Sequence, residues 1–253
     1  MKYTSLFALF SVLFVLACQD DDYNPTRSGN ITTTIQFRAE YDNTNLAIQS
    51  ATYAYPTGAE LKATLFQYYI SDLVLLAADG SEVGLSDIEL IRYEDATADN
   101  IEERTYDVPS GDYVGLRFGL GVKPDLNATD PSNVAANDPL NENEFWNANA
   151  RYVFAKIEAN ADLENDGTFD TGLSYHMGSN DLYTTITFAG NFNIDGDGDP
   201  QLVITADMLK ALSDGTNTFD IADPDKQRVH GGNQAVATEI WGRLVSQFEL
   251  SLQ

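Results

Sequence analysis

Gln67-Tyr68-Tyr69-Ile70-Ser71-Asp72-Leu73-Val74-Leu75-Leu76-Ala77-Ala78-Asp79-Gly80 is the stretch that decides the fold. Aromatic and aliphatic residues dominate it until Asp-Gly, a pair that tolerates the left-handed backbone a tight turn needs, so it reads as a long strand entering a hairpin. The same grammar recurs on both sides. Upstream, residues 31–37 are Thr-rich and β-branched. Downstream, residues 88–93 alternate apolar and polar, and residues 105–108 lead into the turn Pro109-Ser110-Gly111-Asp112 before a strand over 113–122. Residues 145–159, 183–191 and 202–205 return to strand patterning, and 206–212 suit a helical turn. Asn233 is placed to cap a helix whose Val236, Ile240, Leu244 and Phe248 fall on one face. Residues 123–143, with Pro124, Pro131 and Pro139, read as a long surface excursion. No repeat of fixed period is present. The expectation is an all-β protein: an antiparallel β-sandwich-like single domain with long loops and a C-terminal amphipathic helix.

The N-terminus carries a different message. Met1-Lys2 precedes an apolar run from Leu6 to Leu16, and Val15-Leu16-Ala17-Cys18 then meets Gln19-Asp20-Asp21-Asp22. That run is too short to span a bilayer and has the anatomy of a secretory signal. A small residue followed at once by cysteine resembles a bacterial lipobox, and Cys18 is the only cysteine in the chain. Residues 1–17 therefore read as a lipoprotein signal peptide, 18–30 as a lipidated acidic tether and 31–253 as the domain. The protein is expected to be an outer-membrane lipoprotein held by its lipid anchor, facing the periplasm or the cell surface. A formal net charge of −25 repels phosphate backbones and leaves no place for a nucleic-acid partner. With 43% hydrophobic residues the acidity is a surface property and not a sign of disorder.

Reactive side chains are scarce. The lone thiol is assigned to lipid, and His176 and His230 are the only histidines. Ser174 shares a strand face with His176, but such closeness does not make a triad, so no enzymatic activity is expected. Two acidic loops place oxygens at alternate positions before a Gly: Asp162, Glu164 and Asp166, with Asp170 further on, and Asn193, Asp195 and Asp197. Calcium loops share this spacing, yet the twelfth position is Leu173 in one and Ile204 in the other, where an EF-hand needs a bidentate carboxylate. Asp-Gly turns without metal fit the same residues.

Read in order, Tyr68-Tyr69-Ile70-Ser71-Asp72-Leu73, Pro109-Ser110-Gly111-Asp112-Tyr113, Phe118-Gly119-Leu120-Gly121-Val122, Phe145-Trp146, Tyr152-Val153-Phe154-Ala155-Lys156 and Tyr175-His176-Met177-Gly178 resemble the MbnP-like copper-binding domain family. The resemblance spans nearly the whole chain beyond the tether. It implies an extracytoplasmic β-sandwich-like binding domain whose relatives hold copper and accompany a di-haem cytochrome c peroxidase-like protein. In some relatives a tryptophan oxidised to kynurenine joins histidines at the metal. Carried over, His176 matches the family's His-x-Gly, Trp146 its Phe/Tyr-Trp, and His230 aligns loosely before the last helix. Two departures stand out. The segment Trp146-Asn147-Ala148-Asn149-Ala150-Arg151-Tyr152 lacks the family's second Trp and its Gly, and Phe37 is followed by Arg38, Ala39 and Glu40 where many relatives carry a histidine. At most two imidazoles are available. His176 is equally readable as a hydrogen-bonded structural residue, and Trp146 as core filling or an aromatic platform. A surface adhesion or glycan-binding module, with structural calcium and no copper, is the alternative.

Overall fold

The computed structural model describes residues 29–96, 99–141, 144–196, 198–230 and 234–253. The signal peptide, Cys18, most of the tether, Asp197 and Asn233 lie outside these residues. In chain order the elements begin β1 (Asn30–Tyr41), β2 (Thr44–Asn45), β3 (Tyr53–Ala54), β4 (Glu60–Ala77), β5 (Glu82–Tyr93), β6 (Ile101–Pro109) and β7 (Gly111–Leu120). A short helix α1 (Pro124–Asn127) precedes β8 (Phe145–Asn147), β9 (Arg151–Tyr152), β10 (Ala155–Asp162), β11 (Thr171–Met177) and β12 (Thr184–Ile194). Then come β13 (Leu202–Asp207), α2 (Met208–Leu212), β14 (Arg228–His230), α3 (Gln234–Ser246) and β15 (Glu249–Leu252).

Two sheets face each other. The smaller runs β15-β13-β1-β2 with β6 also on β1; the larger runs β12-β7-β4-β10-β11-β14 with β3 and β5 on β4. In β1, Ile35, Phe37, Ala39 and Tyr41 point into the core and the intervening residues do not, the period of a half-buried strand. The sandwich is thus as expected, and β4 and β5 form the hairpin that Asp79-Gly80 promised, with the Ala77 N–H donating to the Ser81 carbonyl at 2.9 Å. Two features were not expected. β1 pairs with β13, and β11 with β14, in parallel, whereas the sequence suggested antiparallel pairing throughout. The turn at Ser110 makes no hairpin either, because β6 belongs to the smaller sheet and β7 to the larger. Periodicity reports which face of a strand is buried and says nothing of its partner.

The central run of β4, Phe66 to Ser71, is buried on both faces. One face meets the core, where the Tyr68 ring packs edge-on to Phe248, just before β15, at 5.1 Å. The other face is covered by the segment expected to be a surface excursion. Tyr69 donates from its hydroxyl to the Pro139 carbonyl at 2.9 Å and its ring meets Tyr152, while Leu140 and Asn127 are buried beneath the loop. At Gly121 the backbone turns left-handed with φ 97°, and an added Cβ would stand 2.5 Å from the Phe154 ring, so only glycine serves there. Helix α3 buries Val236, Ala237, Ile240, Trp241 and Leu244, and the Trp241 indole N–H donates to the Thr184 hydroxyl at 3.2 Å. Among the described residues no helix is long and apolar enough to cross a membrane.

Candidate metal centre

The strand register writes a line of polar residues across the larger sheet. Arg92 on β5 opposes Gln67 on β4, Gln67 opposes Lys156 on β10, Lys156 opposes His176 on β11, and His176 opposes His230 on β14. Directly opposed residues share a face, so this row projects from one side of the sheet. Its neighbours Ile157, Tyr175 and Val229 are buried in the core, which places the row on the outer side. The parallel pairing of β11 with the three-residue β14 brings the imidazoles together, with ring centroids 4.6 Å apart.

The β8–β9 hairpin closes over this row. Trp146 lies 44% exposed and presents its ring edge-on to both imidazoles, at 6.0 Å from His176 and 5.4 Å from His230. Just before it, Glu144 is 4% exposed and divides its carboxylate between two cations: one oxygen pairs with Arg92, the other with Lys156 Nζ at 2.5 Å. Together Glu144, Trp146, Val153, Lys156, His176 and His230 line a recess of about 270 Å³. A larger cleft of about 420 Å³, between the edges of β5 and β6, contains Glu89, Arg92 and Arg104 but no imidazole. Both imidazoles line the smaller recess.

Glu144→Ala would leave the half-buried Lys156 ammonium without its counter-charge. The cost falls below the full penalty of a dry ion pair because both cations keep some contact with water, and about 2 kcal/mol of stability is expected to be lost, read as a lower urea midpoint at unchanged slope.

His176 is held more closely. Its Nε2 lies 2.6 Å from Oε1 of Glu158 and 3.2 Å from the Ser174 hydroxyl, so the Ser174–His176 proximity is a real contact, though one at a nitrogen that Glu158 approaches more closely. Burial draws the His176 pKa below its ordinary 6.5, opposed by the hydrogen bond to Glu158 and assisted by the Lys156 charge. The sign follows. As pH falls below 6.5 the unfolded chain takes up a proton that the folded ring resists, so stability is present above that pH and is lost as pH drops through the folded-state value. Metal-free protein should therefore melt earlier on acidification, and His176→Gln should flatten that part of the thermal-denaturation profile.

The acidic loops take the form of braced turns. The carboxylate of Asp162 is wholly buried and accepts the backbone N–H of Asp166 at 3.2 Å and of Gly167 at 2.7 Å, closing a turn on itself. Glu164, Asp166 and Asp170 point to solvent. In the second loop Asn193 donates to Asp112 at 2.9 Å, and Asp199 gathers the backbone N–H groups of Asp195 and Gly196. Among the described residues these contacts are those of Asp-braced turns, the metal-free reading the sequence left open, and they lend calcium no support. Among the described residues no three His, Cys, Asp or Glu side chains form a metal-holding group, at the loops or at the histidine pair. What the recess offers is two nitrogens and an aromatic wall.

His176, His230 and Trp146, named from the sequence, meet in one place. Lys156, Glu158 and Glu144 were missed. Lys156 and Glu158 alternate on β10 opposite His176 and Ser174, a signal visible only once the two strands are aligned.

Comparison with known proteins bears on the same residues. The family model described as MbnP matches residues 30–230, from the first residue of β1 to His230 itself. Among solved structures the chain is similar to MbnP from Methylosinus trichosporium, with a TM-score of 0.55, 16% identity, and coverage of 88% of this chain and 99% of that one. At that identity the likeness is one of fold. No curated protein matches the sequence.

Proposed function

We propose, from the premise that this chain belongs to the MbnP family, that it is a non-enzymatic, lipid-anchored extracytoplasmic binding protein that takes up copper at His176 and His230 beside Trp146. The observation that carries this reading is the convergence of the only two histidines of the chain, drawn from distant strands to 4.6 Å between ring centroids. Imidazole nitrogen suits copper well, and a ligand must offer an unprotonated lone pair. The depressed pKa of His176 provides that at neutral pH. The donor set fits copper as a two-nitrogen site, with room in the recess for a further donor from a partner or from an altered Trp146. Cys18 after its apolar run supports the lipid anchor in the outer membrane, and a di-haem cytochrome c peroxidase-like protein is the partner this family reading expects.

The test is stoichiometric titration of the mature protein with Cu(I), in competition with a chromophoric chelator, and with Cu(II). One copper per chain in either oxidation state is the expected result. Uptake of neither overturns the reading. Glycan binding that depends on Trp146 would instead favour a sugar-stacking role for this exposed indole.

A further inference from the structure

We propose that Glu158 is the positioning residue of this centre: by accepting the Nε2–H of His176 it holds the ring in the tautomer whose Nδ1 lone pair is free, so that His176 meets copper through Nδ1. The inference rests on the copper reading above and specifies how one of its ligands is presented.

Geometry carries it. Glu158 stands two residues beyond Lys156 on β10, so both side chains leave the same face of the sheet, and Glu158 lies across the ladder from Ser174. From there its Oε1 reaches Nε2 of His176 at 2.6 Å, the distance of a strong charge-assisted hydrogen bond. An ionised carboxylate can only accept, so the hydrogen belongs to Nε2. Ser174 lies 3.2 Å from that same nitrogen and can only share the hydrogen as a second acceptor. In a neutral imidazole the proton on one nitrogen leaves the other as the donor to a metal.

The fold has little need of this contact. β10 and β11 are already joined by a ladder running from Ala155–Met177 to Ala161–Thr171, and the Glu158 side chain is 32% exposed. A carboxylate bonded to the far nitrogen of a ligating histidine is a recurrent device: it orients the ring, fixes the tautomer and raises ligand basicity. Lys156, directly opposite His176, is committed to Glu144 and so does not compete for Glu158.

The experiment compares wild type, Glu158→Leu and Glu158→Gln, each checked for its fold by circular dichroism and thermal melting. Long-range ¹⁵N–¹H correlation spectra of the metal-free proteins at neutral pH report the His176 tautomer, and Cu(I) competition titrations report affinity. The wild type should show a protonated Nε2 and an unprotonated Nδ1. Glu158→Leu should show averaged tautomers and bind Cu(I) roughly 10–100-fold more weakly. Glu158→Gln, whose amide oxygen can still accept, should keep the wild-type tautomer and recover most of the affinity. A His176 ring protonated on Nδ1 in the wild type, or a leucine variant equal to wild type in both spectrum and affinity, overturns the proposal. A wild type that takes up no copper defeats the reading beneath it, and the metal-free spectra then still decide whether Glu158 sets the ring.

Discussion

Replacing His230 by alanine should abolish stoichiometric copper uptake while leaving the fold in place. His230 is exposed at the end of β14, on the outer side of the sheet, so its removal opens no cavity in the core. The effect on stability should stay within about 0.5 kcal/mol. The effect on binding is of another order. With two imidazoles in reach, loss of either leaves a single nitrogen, and the affinity should fall by more than the roughly 10–100-fold that follows loss of a residue merely bonded to a ligand. His176→Ala should match it in binding but not in stability, because its ring is largely buried. Cu(I) competition titrations read the first quantity and urea unfolding the second. If both alanine variants bind copper as the wild type does, the imidazole pair is not the site.

Gly178→Ala should damage both fold and site. A Cβ at residue 178 would lie 2.5 Å from the Tyr152 carbonyl oxygen and 3.1 Å from the Phe154 nitrogen, both backbone atoms of the segment that links β9 to β10. Side chains can rotate away from a small intrusion, but here the main chain itself must move. About 3 kcal/mol of destabilisation is expected, at the upper end of the usual range for overpacking. The displaced segment is the one that carries the β8–β9 hairpin, so Trp146 should also shift against the two rings. Two tryptophans report this separately, since Trp146 is exposed and Trp241 is buried. The emission of Trp146 should change on Gly178→Ala, and that of the buried Trp241, which the displaced segment touches through the Phe154 ring at 6.2 Å, should change less. A variant with wild-type stability and wild-type emission would show that the close approach at Gly178 is not a constraint. The His-x-Gly spacing thus has a physical cause: the histidine needs a strand, and the strand must end where another backbone crosses it.

Much of the fold was legible because its signals are local. Alternation in β1, the long apolar run of β4 and its Asp-Gly turn depend only on neighbouring residues. The same logic failed where partners matter. Pro109-Ser110-Gly111-Asp112 has the composition of a hairpin turn yet hands the chain from one sheet to the other, since a tight turn does not specify which edge each arm will join. Residues 123–141 have the composition of an exposed loop, but Leu140 and Asn127 are buried because the outer face of β4 is too apolar to meet water. The Asp-rich loops looked like cation sites for the reason that Asp side chains suit two purposes. They ligate metals, and they also cap backbone N–H groups, which is the use that Asp162 and Asp199 serve.

Composition and local pattern by themselves determined an acidic sandwich of strands, bounded its chemistry to one cysteine and two histidines, and, through a family resemblance, singled out Trp146, His176 and His230. Only the tertiary structure decided that those histidines stand side by side, that Lys156 and Glu144 form the inner wall, and that Glu158 holds the far side of one ring. The reason is that a strand of three residues such as β14 has no preferred partner of its own. Its direction and register are settled by the burial of Val229 against Tyr175 and by the whole sheet behind them, and a shift of one residue would turn His230 away from His176 to the opposite face.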